Sequence, residues 1–409
     1  MDEFVRLYGE LKWSPSMYDS STGIIRNYIN PLIGDLPMQS VTVKTVDIFI
    51  HDLHRTRSAA EKYHAVKQDY ISDSQVEKVF KLARCAFNQA VRWNVIPQNP
   101  FNQANLCKAK CREREIWDAE TIRKALDACR DANLYVCMNL SFACSLRIGE
   151  ILGLTWNNVH ISEQEIRDDD AWLYIMQELA RVKRSALAAL NNKNIYHIFP
   201  AWTGKTTSTV LVLKKPKTDS SIRRVWIPKT VAYVLQELRK NQLHQIEMAG
   251  FDYTDYNLVI AFPNGHPREE KRINQAFTKL KAEAKLPDVV FHSLRHSSAT
   301  YKLKLNHGDL KATQGDTGHA EIDMLTKVYA HILDSDRKIT AQRFEEAFYQ
   351  SQDLPERKDN NLSSPDIAAL IAQIQQYPEL GKILSDVLAK QASTDENTEN
   401  GNGNLSDSE

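Results

Sequence analysis

The stretch SLRIGEILGLTW, residues 145–156, combines an apolar helix face with an arginine and a glutamate three positions apart. Apolar side chains recur at helical spacing and predict a face buried in a core: Ile148, Ile151, Leu152 and Leu154. Arg147 and Glu150 share another side of the same turn. An ion pair on the surface is the ordinary interpretation of this pair, and a functional pair is the alternative.

Two further stretches place basic side chains where a core does not need them. FHSLRHSSATYKL (291–303) brings His292 and Arg295 to one face of a helix start, which suits phosphate binding or is simply a solvated face. KKPKTDSSIRRV (214–225) places Lys217 in a polar turn between two strands. A solvated lysine is the ordinary interpretation of the turn.

A fourth stretch, GDTGHAEIDMLTKVYAHI (315–332), carries His319 after a glycine turn and Tyr329 ten residues later, followed by His331. A tyrosine at helical spacing is ordinarily part of a core or an interface. The order and spacing of these groups in all four stretches are more informative than any one of them.

Together the four stretches resemble the tyrosine recombinases, the integrase family of phages and conjugative transposons. RIGE and HSLRH match the two arginine boxes of the family, TGH matches its second histidine, and VYAH matches the nucleophilic tyrosine. YINPLIGDLPMQSVT (28–42) is similar to the core-binding domain of these integrases. The resemblance covers about residues 14 to 345. It departs from the family at Thr317, where a leucine is usual, and in a long sheet insertion at about 161–207. The part of this insertion at 177–207, QELARVKRSALAALNNKNIYHIFPAWTGKTT, looks like a helix and a loop.

The resemblance implies a metal-free and cofactor-free active site with six catalytic residues: Arg147, Lys217, His292, Arg295, His319 and Tyr329. Tyr329 would attack the scissile phosphate and form a 3′-phosphotyrosine, while the two arginines hold the phosphate oxygens with their planar forks. Lys217 would protonate the leaving 5′ oxygen, and His292 would accept the tyrosine proton. Lys214 and Lys215 lie close to Lys217 in the sequence and are alternatives for its role if the register of the hairpin differs. His319 would bond a phosphate oxygen, and Glu150 would orient the cations.

Periodicity and resemblance predict a mainly α chain with a helical, SAM-like core-binding domain and a mixed α/β catalytic domain of helices around a small three-stranded antiparallel sheet. The predicted segments are a core-binding domain at 1–96, a basic linker at 97–115, a catalytic domain at 116–350, and an acidic extension at 351–409 with an amphipathic helix at 364–390 and a disordered end. Ser74 and Asp118 are the predicted N-caps of two helices. The three predicted strands are AWLYIM, STVLVLKK and IRRVWIP, the last two joined as a hairpin by PKTDSS.

Composition favours a soluble protein that binds a polyanion. The 409 residues carry no net charge, but residues 351–409 hold four basic and eleven acidic side chains and residues 181–230 hold eleven basic and one acidic. No run approaches the roughly 20 apolar residues of a membrane span, and no signal peptide opens the chain. The six cysteines suit reduced thiols, and Cys107 and Cys111 lack partners nearby in sequence for a zinc site.

The resemblance implies a mobile-element integrase that acts as a homotetramer on double-stranded DNA attachment sites, with accessory DNA-bending or excision factors. We expect it in a bacterial cytoplasm, at the nucleoid and away from membranes. An Xer-like resolvase and a catalytically silent DNA-binding regulator are the alternatives. The core-binding pattern starts close to Met1, so an arm-binding domain is either absent or outside this chain. Target sequence, crossover spacing, host element and the balance of integration and excision stay open.

Overall fold

Helices dominate the computed structural model, which describes residues 1–59, 69–106, 115–201, 207–306, 309–311 and 313. The helices before residue 100 in this part are α1 (Asp2–Phe4), α2 (Glu10–Lys12), α3 (Pro15–Ile24), α4 (Asn30–Ile33), α5 (Val43–His54) and α6 (Asp73–Arg92). A π-helical turn joins α1 to α2 and another joins α3 to α4, so both pairs continue as single rods. The N-cap of α6 is Ser72, whose hydroxyl accepts the Gln75 amide at 3.3 Å; the prediction of Ser74 was two residues late.

A cluster of aromatic rings closes the core of this first helical region. Phe101 is 1% exposed and its ring lies 4.8 to 6.1 Å from those of Phe49, Phe80 and Phe87. Phe101 lies inside the predicted linker at 97–115, and burial of its ring holds this part of the chain against the helices.

The helices after residue 115 surround a second core. They are α7 (Ala119–Ala128), α8 (Ala132–Ala143), α9 (Ile148–Leu152), α10 (Glu163–Arg167), α11 (Arg184–Ala189), α12 (Lys229–Ala249), α13 (Glu270–Glu283) and α14 (Ser293–Leu305). Asp118 caps α7 as predicted, with its carboxylate accepting the Thr121 amide at 2.8 Å. Apolar side chains on several sides of α8 let it contact α9, α12, α13 and α14 at once.

Six short strands in the described part form two antiparallel sheets. The strands are β1 (Val159–His160), β2 (Trp172–Ile175), β3 (Glu178–Lys183), β4 (Ile195–Ile198), β5 (Thr209–Lys214) and β6 (Arg223–Trp226). One sheet has the order β1-β2-β6 and the other β3-β5-β4. The registers place Ile175 opposite Arg223 and Glu178 opposite Lys214.

The fold class is confirmed, including a three-stranded antiparallel sheet among helices, but two details of the prediction were wrong. The insertion is not a helix and a loop, because it adds β3, α11 and β4 and so builds the second sheet. β5 and β6 do not pair as a hairpin, since β5 pairs with β3 and β6 pairs with β2. Pro216 has no amide to donate to a ladder, so the chain leaves the sheet of β5 there and enters the sheet of β6 at Arg223.

The rest of the chain lies outside the described residues. This holds for predicted site residues His319 and Tyr329 and for the predicted extension at 351–409 with its helix at 364–390. In the described part, no helix combines the length and apolar character needed to cross a membrane.

Candidate active site

Arg147 and Glu150 are joined at the start of α9. Arg147 is the N-cap, its backbone amide donates to Glu150 Oε2 at 2.9 Å, and its Nη1 donates to Oε1 at 2.7 Å. The Glu150 side chain is 1% exposed, whereas that of Arg147 is 34% exposed. The pair predicted from spacing is therefore not a surface ion pair, because its carboxylate is buried while the guanidinium reaches the surface.

A second arginine binds the same carboxylate from the sheet. Arg223, at the start of β6, places Nη2 3.3 Å from Glu150 Oε2 and Nη1 3.4 Å from Oε1. Its Nη1 also donates to the Ser221 carbonyl at 3.0 Å. The Ser221 hydroxyl lies 3.3 Å from Arg147 Nη1, so the turn before β6 contacts both arginines.

Arg295 is the third cation of the cluster and is 1% exposed on α14. Its Nη1 donates to the carbonyl of Ser145, two residues before Arg147. Burial, followed by the charges of Arg147 and Arg223, lowers the pKa of Arg295 to about 9, and the charge of Glu150 opposes this. The guanidinium still carries its proton at neutral pH, at a cost that a bound anion would relieve.

Ser145 holds the carbonyl that Arg295 binds, and its backbone is unusual. Its φ is +53°, in the left-handed region that side-chain-bearing residues seldom adopt. Its hydroxyl lies 2.6 Å from that of Ser298, one turn beyond Arg295 on α14. The contact ties the turn before α9 to the helix that carries Arg295.

The pKa of Glu150 reflects competition between burial and cations. Burial alone would raise the pKa, but the charge of Arg223 and the amide and charge of Arg147 together lower it below its usual value of 4.5. Glu150 is therefore a buried carboxylate that stays ionised. Arg147, Arg223, Arg295 and Glu150 have a formal net charge of +2.

His292 and Arg147 line one cleft of about 960 Å³. His292 precedes the first residue of α14, and its ring centroid lies 4.9 Å from that of His296. Ser16 of α3 also lines the cleft, so the first helical region forms part of its wall.

Lys217 lies in the turn between β5 and β6 and is exposed. Lys214, a sequence alternative for the same role, is instead 7% exposed and paired with Glu178 across the β3–β5 ladder. A lysine committed to a buried ion pair is poorly suited to donate a proton to a substrate. The geometry thus favours Lys217 over Lys214.

The structure brings together four of the predicted residues, Arg147, Glu150, His292 and Arg295, and puts Lys217 on the turn whose far end contacts Arg147. Predicted residues His319 and Tyr329 lie outside the described part.

Sequence analysis missed Arg223, although the alternation along its strand indicates that this side chain faces the core. Val225 and Ile227 are buried, and residues two apart on a strand share a face. An arginine in phase with two core residues needs a buried anion, and Glu150 supplies it. Ser145 had no comparable signal, because its importance comes from its backbone carbonyl.

Comparison with known proteins gives this arrangement a family. The phage integrase family matches residues 116–336, more than half of the chain. The chain is 24% identical to a "Tyrosine recombinase XerC-like" protein of Caldanaerobacter subterraneus, covering 82% of this chain and 78% of the relative. It is 20% identical to the ICEBs1 integrase of Bacillus subtilis, covering 82% and 79%.

Solved structures agree on the fold. The integrase of transposon Tn1549, in complex with a circular intermediate DNA, superposes with a TM-score of 0.60 at 16% identity, covering 84% of this chain and 97% of that one. The cluster around Glu150 and the cleft that His292 lines thus belong to an integrase fold. The chain belongs to the phage integrase family. It is a tyrosine recombinase, an enzyme of site-specific recombination.

Proposed function

We propose that this recombinase is the integrase of a mobile element, which cuts and rejoins double-stranded DNA through a 3′-phosphotyrosine intermediate. The observation that carries the proposal is the meeting of Arg147 and Arg295 around buried Glu150 at a cleft that His292 also lines. Guanidinium groups bind phosphate oxygens in pairs, and low local polarity strengthens the interaction. The mobile-element assignment is supported by the names of the ICEBs1 and Tn1549 relatives.

In the proposed reaction Tyr329 acts as the nucleophile. Its phenolic oxygen forms a bond to phosphorus as the bond from phosphorus to the 5′ oxygen breaks, and its proton passes to His292. Lys217 gives a proton to the 5′ oxygen, and His319 donates to a phosphate oxygen. Rejoining is the reverse with a new 5′ hydroxyl, so the energy of the phosphodiester is conserved and no nucleotide cofactor is consumed.

The extra negative charge of the transition state is the main demand on the cluster. A phosphodiester carries one charge, and the five-coordinate transition state gathers more on its non-bridging oxygens. The cluster's +2 charge is already in place before DNA arrives, so little reorganisation is needed. By analogy with oxyanion donors, loss of Arg147 or Arg295 should lower the cleavage rate by roughly 10²- to 10³-fold.

The test is a duplex carrying a candidate attachment site, nicked so that the cleaved end diffuses away, incubated with enzyme in EDTA and separated on a denaturing gel. Wild type should form a covalent protein–DNA adduct, and Tyr329→Phe should bind the duplex without forming it. Binding without adduct by the wild type would instead support the silent regulator.

Lys217 and Lys214 make a matched pair for the acid step. Lys217→Ala should lose cleavage, whereas Lys214→Met should affect stability more than cleavage, because Lys214 serves Glu178. A substrate with sulfur at the bridging 5′ position leaves as a thiolate and needs no proton. It should restore cleavage to Lys217→Ala but not to Arg295→Ala; rescue of both would remove Lys217 from this role.

Strand exchange requires two duplexes, each cut on both strands, so we propose a homotetramer on DNA at the host nucleoid, assisted by DNA-bending or excision factors. Light scattering of the assembled complex tests the stoichiometry. An Xer-like resolvase is the second candidate, supported by the XerC-like relative. Resolution of plasmid dimers without integration into a second replicon would favour the resolvase.

A further inference from the structure

We propose that Arg223 is a positioning residue of the active site: by sharing the carboxylate of Glu150 with Arg147, it fixes the direction and the charge that Arg147 presents to the phosphate. The inference rests on the proposed function, since it needs a DNA phosphate in the cleft. It adds a residue that the family motifs in the sequence did not indicate.

Both oxygens of Glu150 serve both arginines. Oε1 accepts from Arg147 Nη1 at 2.7 Å and lies 3.4 Å from Arg223 Nη1. Oε2 accepts the Arg147 amide at 2.9 Å and lies 3.3 Å from Arg223 Nη2. Arg223 thus spans the carboxylate with its two terminal nitrogens, which restricts how the Glu150 carboxylate can rotate.

Burial separates the roles of the two arginines. The Arg147 side chain is 34% exposed and lines the cleft, whereas the Arg223 side chain is 9% exposed. Arg223 therefore lies behind the carboxylate, so that any effect on the phosphate passes through Glu150. This arrangement makes Arg223 a positioning residue rather than a group that touches the substrate.

Charge gives the second reason for a shared carboxylate. A buried carboxylate paired with Arg147 alone would cancel the charge that the phosphate requires. With Arg223 as a second partner, the three groups keep a net charge of +1, and Arg295 raises it to +2. The buried Nε of Arg223 has no acceptor within the described part of the chain, so the side chain does not recover all of its desolvation cost.

The experiment measures single-turnover cleavage of the nicked duplex, together with duplex affinity and thermal unfolding. By analogy with groups that orient metal ligands, Arg223→Ala should slow cleavage by about 10- to 100-fold, with little change in affinity. Arg223→Lys should recover part of the rate, because it keeps the charge but not the fork. Arg224→Ala is the matched control: the neighbouring arginine is exposed on the opposite face of β6, over the Trp172 ring at 4.1 Å, and its loss should leave the rate unchanged.

A double-mutant cycle separates action through Glu150 from an independent effect. In a Glu150→Gln background Arg223 has no carboxylate to share, so adding Arg223→Ala should cost less than about threefold. The acid limb of the rate should also move to higher pH in Arg223→Ala. The charged groups around Glu150 in the described part are Arg147 on its own helix, Arg223 on β6 and Arg295 on α14, and removing Arg223 lets burial raise the carboxylate pKa.

The outcomes are distinct. A wild-type enzyme that binds but forms no adduct refutes the proposed function and this inference with it. A normal wild type with an unimpaired Arg223→Ala, or with losses that multiply in the double variant, overturns the inference alone. If Arg223→Ala does not fold, Arg223→Lys decides: a wild-type rate and an unmoved acid limb overturn the inference, and a slower rate whose loss vanishes in Glu150→Gln supports it.

Discussion

Replacing Glu150 by glutamine should destabilise the protein far more than an equivalent change at a surface helix cap. The substitution keeps the shape and an oxygen for the Arg147 amide, but it removes the only negative charge of the cluster described above. Arg147 at 2.7 Å and Arg223 at 3.3 Å then both lose the negative charge of the carboxylate that they share.

The magnitude follows from the burial of the carboxylate. Breaking a buried ion pair by removing one partner costs about 3–5 kcal/mol, because the remaining charge stays desolvated. For a domain of roughly 200 residues each kcal/mol lowers the melting temperature by about 2–4 °C. The expected decrease is therefore about 6–20 °C.

Glu165 is a natural control, because it occupies the same position in the helix cap of α10. It accepts the Ser162 amide at 2.7 Å, but its side chain is 29% exposed. Glu165→Gln should cost no more than about 1 kcal/mol. Thermal unfolding by circular dichroism at pH 7 and low salt compares the two variants. Equal melting temperatures would refute the assignment of Glu150 as the buried counter-ion of the arginines.

Three further predictions follow from the same structure. The pKa of Glu150 is below 4.5 in the folded state, so its contribution is complete above pH 4.5 and is lost as pH falls through the folded pKa; the melting difference between wild type and Glu150→Gln should shrink in acid, and a constant difference at pH 3 would contradict this. Ser298→Ala leaves the buried Ser145 hydroxyl without its partner and should cost about 1–3 kcal/mol in urea unfolding, whereas Ser297→Ala removes a buried hydroxyl that has no partner in the described part and should cost little. Phe101→Ala should cost about 3–5 kcal/mol through the cavity it leaves, against a small effect of Leu11→Ala at an exposed position; similar values for both would argue against a core at Phe101.

The sequence predicted what depends on local spacing. Arg147 and Glu150 meet because three residues make nearly one helical turn, and Asp118 caps α7 because its carboxylate reaches the third amide ahead. His292 and Arg295 belong to one helix start for the same reason. Their nearness to Arg147 did not follow from spacing and was predicted only from the family resemblance.

Strand partners could not be predicted in the same way. AWLYIM and the residues after it alternate like a strand well past Met176, and nothing local says where one sheet ends and the next begins. β6 was expected to pair with β5, but β5 pairs with β3 instead. Phe101 was assigned to a linker because Pro97 and Pro100, just before it, indicate a break. The rings that bury it lie earlier in the chain, on α5 and α6, and no local pattern near Phe101 indicates them.

The turn between β5 and β6 joins the two sheets, and it carries Lys217 and contacts Arg147. The chain leaves one sheet after Lys214, which pairs with Glu178, and enters the other sheet at Arg223, which pairs with Glu150. Both ends of the turn are thus held by buried ion pairs on different sheets, while Lys217 between them stays exposed. In the role proposed for it, Lys217 must bring its ammonium group to the leaving oxygen, which needs a mobile side chain on a fixed backbone. The insertion supplies β3 and therefore Glu178, which pairs with Lys214. The second sheet thus helps to fix the backbone of the turn that carries Lys217.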